Sequence, residues 1–384
     1  MRVTHVILLI AVLFTFCVAS QAQQPVPSWT VDLSALPQYQ DASQIGVKDD
    51  FCISFSKPDE VAVAFQFVNP HAGSPANALV ISLHVATGTL EGVRAWNKLE
   101  EFAGPFGKRL VLSPSGSTAG LLAIVGDKIL RLSPGLDILA ERSLPLNRVL
   151  DDGYPEQDSW NLVADAAAGQ AVLVRTAPES TQQDEHWIST TTLQDSVVTP
   201  VENYSLRGIA LIGESVIFNL YRSAEPVQIQ KRGQPRRSLC ASCTGFVNAA
   251  FGRGFILLST SDAPHRSMYS VVDTEGNVVL QESMPPPNNG IEFASGATLA
   301  NRAAFFRGGL VQGPNGMQAE NRFVVLDTDA RKEIWQADLI NIGEKKKIGN
   351  IIQTGFSTPR LALSPDGHML AVLLGSTVEM FRVP

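Results

Sequence analysis

Apolar residues in this chain fall in short runs that alternate or stay continuous, separated by polar turns rich in Gly, Pro, Asp and Asn. That is the periodicity of strands, not of helices. The clearest unit lies at the carboxyl end. Leu361 to Ser364 reads as a strand, Pro365-Asp366-Gly367 as a tight turn and Met369 to Leu374 as a second strand. Proline presets its own φ and glycine tolerates positive φ, so the turn has a physical cause.

The unit recurs in weaker form. Cys52 to Phe65 keeps strand, Pro-Asp turn and strand, and Arg109 to Val125 keeps a Ser-Pro-x-Gly turn. Further copies run over Asn161–Thr176, Gly208–Leu220, Val247–Thr260 and Gly296–Arg307. A second hairpin follows most of them, best at Met268–Gln281 and Arg322–Trp335, more loosely at Leu79–Val93, Lys128–Leu144, Trp187–Val201 and Val227–Leu239. The final unit stops after one strand, Thr377–Val383, whereas Trp29–Leu36 offers a spare strand at the other end. Pairing the two completes the count. The expectation is an all-β chain: a seven-bladed β-propeller of four-stranded antiparallel blades, its ring closed by the N-terminal strand pairing with the last blade. Such a ring protects its sheet edges by radial repetition.

The repeat resembles the WD40/YVTN-type β-propeller families, over roughly residues 29–384, with Leu-Ser-Pro-Asp-Gly at 363–367 as its best motif. The Gly-His and Trp-Asp dipeptides of strict WD40 repeats do not recur as a pair, so the resemblance is one of architecture. Asp327 to Trp335 looks like the strand motif of quinoprotein propellers, but Arg331 takes the glycine position and the motif occurs once. It therefore implies no quinone.

Composition changes the picture in three places. The length of 384 residues suggests two or three domains, but the repeat predicts one propeller over residues 23–384 behind a signal peptide at 1–22. In that segment Arg2 supplies a positive start, Ile7 to Val18 an apolar run too short to span a bilayer, and Ser20 and Ala22 the small residues before a cleavage point at Gln23. The protein is thus expected to be exported, periplasmic or extracellular, with no stable membrane insertion after cleavage. The formal net charge of -7 argues against nucleic acid, which needs a basic face.

Candidate chemistry is thin. Cys240-Ala-Ser-Cys243 lacks the following His of haem attachment and the second ligand pair of a zinc site; a local disulfide is the favoured reading, over free thiols or a functional pair. Cys52 is expected inside the first blade as a small hydrophobe. His71, His84, His186, His265 and His368 are too scattered for a helical metal pair and are expected to be solvated. The acidic stretch Asp151–Asp158 lacks a calcium-loop pattern. The basic runs Lys231–Arg237 and Lys345–Lys347 read as solvated turns, and Pro285–Gly290 as a linker. No nucleophile elbow or phosphate loop occurs. No catalytic residue, metal ligand or cofactor is assigned.

Two functions remain from different classes. The first is a binding scaffold for a protein, peptide or glycan on one propeller rim. The second is a propeller hydrolase of lactonase type, with polar residues from several blades converging at the channel mouth.

Overall fold

Antiparallel pairing builds every sheet among the described residues. A computed structural model describes residues 25–384 except 45–46, 69–75, 100–110, 115–119, 145–158, 166–168, 177–181, 203–205, 221–226, 240–245, 253, 262–265, 274, 284–290, 298, 314–315, 339–344, 349–350 and 355–358. Six four-stranded antiparallel sheets are each drawn from one continuous stretch: residues 47–99, 111–143, 159–202, 206–238, 246–283 and 291–338, called blades 1 to 6. A further four-stranded sheet is composite. It takes Arg360–Leu363, Met369–Leu374 and Thr377–Arg382 from the carboxyl end and Trp29–Asp32 from the amino end. Trp29 lies opposite Met380 and Asp32 opposite Thr377 in that pairing. The chain is a β-propeller of four-stranded antiparallel blades, as the repeat predicts.

Between the two ends of the composite sheet, a turn of 3-10 helix (Leu33–Ala35) and the short helix Pro37–Ser43 lead from Asp32 toward blade 1. Lys345–Lys347, expected in a loop, belong instead to a separate two-stranded hairpin of Lys345–Ile348 with Ile351–Thr354.

The middle strands are buried on both faces because each sheet is sandwiched between neighbours. Leu121–Val125 illustrates how one strand feeds two cores. Leu121, Ala123 and Val125 pack with Ala62, Ala64, Ala78 and Val80 of blade 1, whereas Leu122 and Ile124 pack with Leu162, Leu173 and Ile188 of blade 3. Side chains alternate across a strand, so continuous apolar sequence is what a two-faced position demands. Similar clusters join blades 3 and 4 through Trp187 and Phe218, blades 4 and 5 through Ile217 and Val272, and blades 5 and 6 through Val271 and Phe305. Blade 6 meets the composite sheet through Trp335 and Phe381, and the composite sheet meets blade 1 through Met380 and Phe65.

The Ser-Pro-Asp-Gly turn is held by its own side chains. Ser364 Oγ donates to Asp366 Oδ1 at 2.5 Å and accepts from the Met369 N–H at 2.9 Å, while the His368 N–H donates to Asp366 at 3.1 Å. Burial opposes ionisation of Asp366, but these hydrogen bonds and His368 prevail and hold its carboxyl below the usual range.

The turn joining the third and fourth strands contains a left-handed residue in all six continuous blades. These are Gly88, Leu136, Leu193, Gly233, Gly276 and Arg331, with φ between 52° and 91°. Leu136 and Leu193 are buried, so there the core compensates the backbone strain. Arg331 is exposed and has no such compensation. Arg331→Gly therefore raises stability by about 1 kcal/mol, read by chemical denaturation, whereas Leu136→Gly lowers it by about 3 kcal/mol through lost burial. Equal effects of the two changes would contradict this account.

Candidate functional site

In an up-and-down sheet, the first–second and third–fourth turns emerge at one edge, and the second–third and blade-to-blade connections at the other. The sequence loads these edges unequally. Lys57 to Glu60, Ile212 to Ser215 and the six left-handed turns are tight. On the opposite face lie the connections from Leu99 to Val111, Ser143 to Ser159 and Asp338 to Arg360. The longest connections thus leave from the edge opposite the six left-handed turns, and long connections are where binding usually resides.

On the short-turn side the blades are clasped by hydrogen bonds. Arg94, in the fourth strand of blade 1, donates from Nη1 to the carbonyl of Leu136 in the third–fourth turn of blade 2, at 3.1 Å. Arg142, at the matching place in blade 2, donates to the carbonyl of Leu193 in blade 3 at 3.0 Å. Trp29, in the outermost strand of the composite sheet, donates from Nε1 to the carbonyl of Val85 in blade 1 at 2.6 Å.

Arg142 also grips Asp195 bidentately, at 2.7 and 2.8 Å, and His186 Nδ1 lies 3.1 Å from the same carboxylate. Burial works against ionised Asp195, but Arg142 first, then His186, hold its carboxyl below the usual range. The arrangement locks blade 2 to blade 3. A carboxylate with a lowered folded-state pKa gives stability that is present above the unfolded value of 3.8 and lost as pH falls below it. Arg142→Met is accordingly expected to cost about 1 kcal/mol near neutral pH, with the deficit closing below pH 3.8. A deficit that stays constant from pH 7 to pH 3 would refute the ionic part of the clasp. At a side-chain exposure of 13%, His186 is less solvated than its sequence setting suggested.

Among the described residues two carboxyl groups are fully inside. Glu60, in blade 1, accepts from Ser56 Oγ at 2.8 Å and lies 3.5 Å from Lys57 Nζ. Burial pushes its carboxyl up, against the hydrogen bonds of Ser82 and Ser56. Glu185, in blade 3, accepts from Trp187 Nε1 at 2.5 Å, and its other oxygen has no hydrogen-bond partner and stands 3.9 Å from Arg236 of blade 4. Desolvation raises the Glu185 carboxyl above its ordinary value, only partly opposed by Trp187 and Arg236. Arg236 itself lies over the Phe218 ring at 4.3 Å. Within the basic run Lys231–Arg237 it thus departs from the expected solvated turn, because a buried carboxylate and an aromatic face draw it inward.

Among the described residues the remaining sequence candidates are not brought together. Cys240, Cys243, His71, His265, the acidic stretch 151–158 and the linker 285–290 lie outside the described residues. Cys52 is half-buried in the first strand of blade 1, against the core shared with blade 2. The ring of His84 accepts from the Ala86 N–H, and His368 lies 3.3 Å from Arg302 Nη1. Among the described residues no group of three His, Cys, Asp or Glu side chains is placed to hold a metal ion, and no helix is long and apolar enough to cross a membrane. Glu185 was the residue sequence reasoning missed. It sits two positions from Trp187 and so shares the inward face of its strand.

No family model and no curated protein matches this sequence. Solved structures do. The WD40 repeats of RRP9 superpose with a TM-score of 0.54 at 10% identity, covering 94% of this chain and 99% of that one. The structure of U3-55K gives 0.53 at 11% identity, with 93% and 99% covered. The Pan2 WD40 domain of Neurospora crassa gives 0.50 at 8% identity, with 95% and 97% covered. These likenesses show the β-propeller fold.

Proposed function

We propose that this protein is an exported seven-bladed propeller that binds a protein, peptide or glycan on the face carrying its long connections. The observation that carries the reading is the inequality of the two faces: six tight left-handed turns on one, the long segments on the other. A ring that presents its long segments on one rim is suited to a binding scaffold. Benzoylphenylalanine placed at Asn97 or Ser143, exposed at the ends of fourth strands on the long-connection face, is expected to give cross-linked adducts in the native cell envelope. At Pro134 or Gly233, on the short-turn face, it gives none. Adducts distributed equally over both faces, or absent from both, would sink this reading.

In this reading the composite sheet is the seventh blade and closes the ring. It is supported by the Trp29–Val85 clasp, which repeats the Arg94 and Arg142 clasps, and by the Leu363 N–H donating to Ser295 of blade 6 at 3.0 Å, as Ala164 donates to Ser113 between blades 2 and 3. Export rests on residues 1–22 and predicts a mature amino terminus at Gln23, read by terminal sequencing of the envelope fraction. Cys240 and Cys243 form a local disulfide, which intact-mass measurement with and without reductant checks.

A further inference from the structure

Among the six continuous blades, blade 4 has the shortest outer strand: two residues, Arg237–Ser238, where the others have six to ten. The segment leading through it, residues 233–238, is anchored at both ends. Before it, the Arg232 N–H donates to the Glu214 carbonyl at 2.8 Å; after it, the N–H of buried Leu239 donates to the Val227 carbonyl at 2.7 Å. Between these anchors Gly233, Gln234, Pro235, Arg237 and Ser238 are all exposed. Arg236 alone turns inward, with its side chain 18% exposed.

That one side chain reaches across to blade 3. It lies over the Phe218 ring of its own blade and stands 3.9 Å from the buried Glu185 oxygen that has no hydrogen bond. Among the described residues little else holds the segment. Pro235 has no N–H to donate. The ladder contributes the pairs Ile229–Arg237 and Gln228–Ser238, with Gln228 Nε2 donating to Ser238 Oγ at 3.3 Å, and the Gln234 N–H closes the turn on the Lys231 carbonyl. Gly233 has φ of +70° and open space where a Cβ would stand, which suits a hinge. Of the charged side chains described around Glu185, Arg236 is the one that faces it. His186 points to the other face of its strand, where Asp195 and Arg142 hold it. Glu214, Lys231 and Arg237 are exposed, and Arg232 is half-exposed at the turn.

We propose that residues 233–238 are an acid-released strap: Arg236 pins them to blade 3 while Glu185 is ionised, and they swing out with Arg236 when Glu185 takes up a proton. The linkage is reciprocal. Burial raises the Glu185 carboxyl, whereas Trp187 and docked Arg236 lower it. Proton uptake therefore weakens docking by the same free energy with which docking opposes proton uptake. The net shift is upward from 4.5, so release belongs to pH below the raised value and docking to pH above it. A guanidinium facing a neutral acid in a buried junction has lost its counter-charge and is better solvated outside. The strap lies on the short-turn side, so the inference is independent of the binding role proposed above.

Glu185→Gln imitates the protonated carboxyl at any pH. Trypsin at about pH 8 is expected to cut this variant after Arg237 at least about tenfold faster than the wild type, because cleavage follows the population of the open form. Cleavage after Arg331, in the exposed turn of blade 6, stays unchanged and reports that the rest of the ring is intact. In an Arg236→Met background the strap is already loose, so Glu185→Gln adds nothing. Hydrogen exchange of the wild-type protein supplies a second reading free of any folding defect. After correction for intrinsic rates, the amides of residues 234 and 236–238 lose protection between about pH 8 and pH 4, whereas those of Lys332–Asp338 keep theirs. Equal cleavage of the wild type and Glu185→Gln after Arg237 overturns the proposal. So does an acceleration that survives in the Arg236→Met background, or strap amides whose protection is the same at both pH values.

Discussion

Replacing Arg236 with Met lowers the stability of this protein by about 3 kcal/mol at neutral pH, the scale on which removing one partner of a buried pair acts. The loss shrinks as pH is lowered toward 4.5, the ordinary value for a glutamate. The cause is Glu185, whose side chain is wholly buried and one of whose oxygens has no hydrogen bond and faces Arg236 at 3.9 Å. Methionine keeps much of the contact with Phe218 but removes the charge. The sign follows from the direction of the shift. A folded-state pKa raised above the unfolded one means that the native protein holds the proton more tightly. Stability is then greatest below pH 4.5 and falls as pH climbs through the raised value. Removing Arg236 takes away a group that lowers this pKa, so the falling limb extends to higher pH. Glu185→Gln, neutral at every pH, removes the limb. Urea unfolding at stepped pH reads all three proteins. An Arg236→Met deficit of the same size at pH 4.5 and pH 8 would show that the contact is packing alone.

The elements of the fold were legible because strand periodicity and turn chemistry are local. Pro365-Asp366-Gly367 sets its own backbone, and the hairpin it closes, Arg360–Leu363 with Met369–Leu374, lies within a residue of its predicted bounds. The composite sheet was legible by counting, since Thr377–Val383 lacked a partner that Trp29–Leu36 could supply. What local reasoning misread were positions decided by another blade. Arg236 looked like one more charge in a basic turn, and nothing in Lys231–Arg237 announces a buried Glu185 far back in the chain. His186 looked isolated because its partner Asp195 stands nine residues on, in the neighbouring strand of blade 3, and Arg142, which grips that carboxylate, comes from blade 2. Leu136 and Leu193 occupy turn positions where glycine is the natural choice, and only the core beneath them explains leucine.

The junction between the composite sheet and blade 1 makes the sharpest test of the architecture, since it joins the two ends of the chain. Trp29 lies against Gly88, which has φ of +70°, and a Cβ added there would stand 2.8 Å from the indole ring. Trp29→Ala removes the ring from the core it packs against and leaves the Val85 carbonyl without its donor, at a cost of about 3 kcal/mol. Gly88→Ala costs a similar amount, about 3 kcal/mol, of which about 1 kcal/mol is left-handed backbone and the rest collision with the indole. The two losses therefore do not add. In the Trp29→Ala background the collision has no partner, and Gly88→Ala costs only its backbone share, a coupling of about 2 kcal/mol in a double-mutant cycle. Additive losses would mean that the amino-terminal strand does not seat on blade 1 and that the composite sheet is held from one side only. A coupling of the expected size, measured with the Arg94–Leu136 pair as an internal comparison, would make the seam one more blade junction among equals.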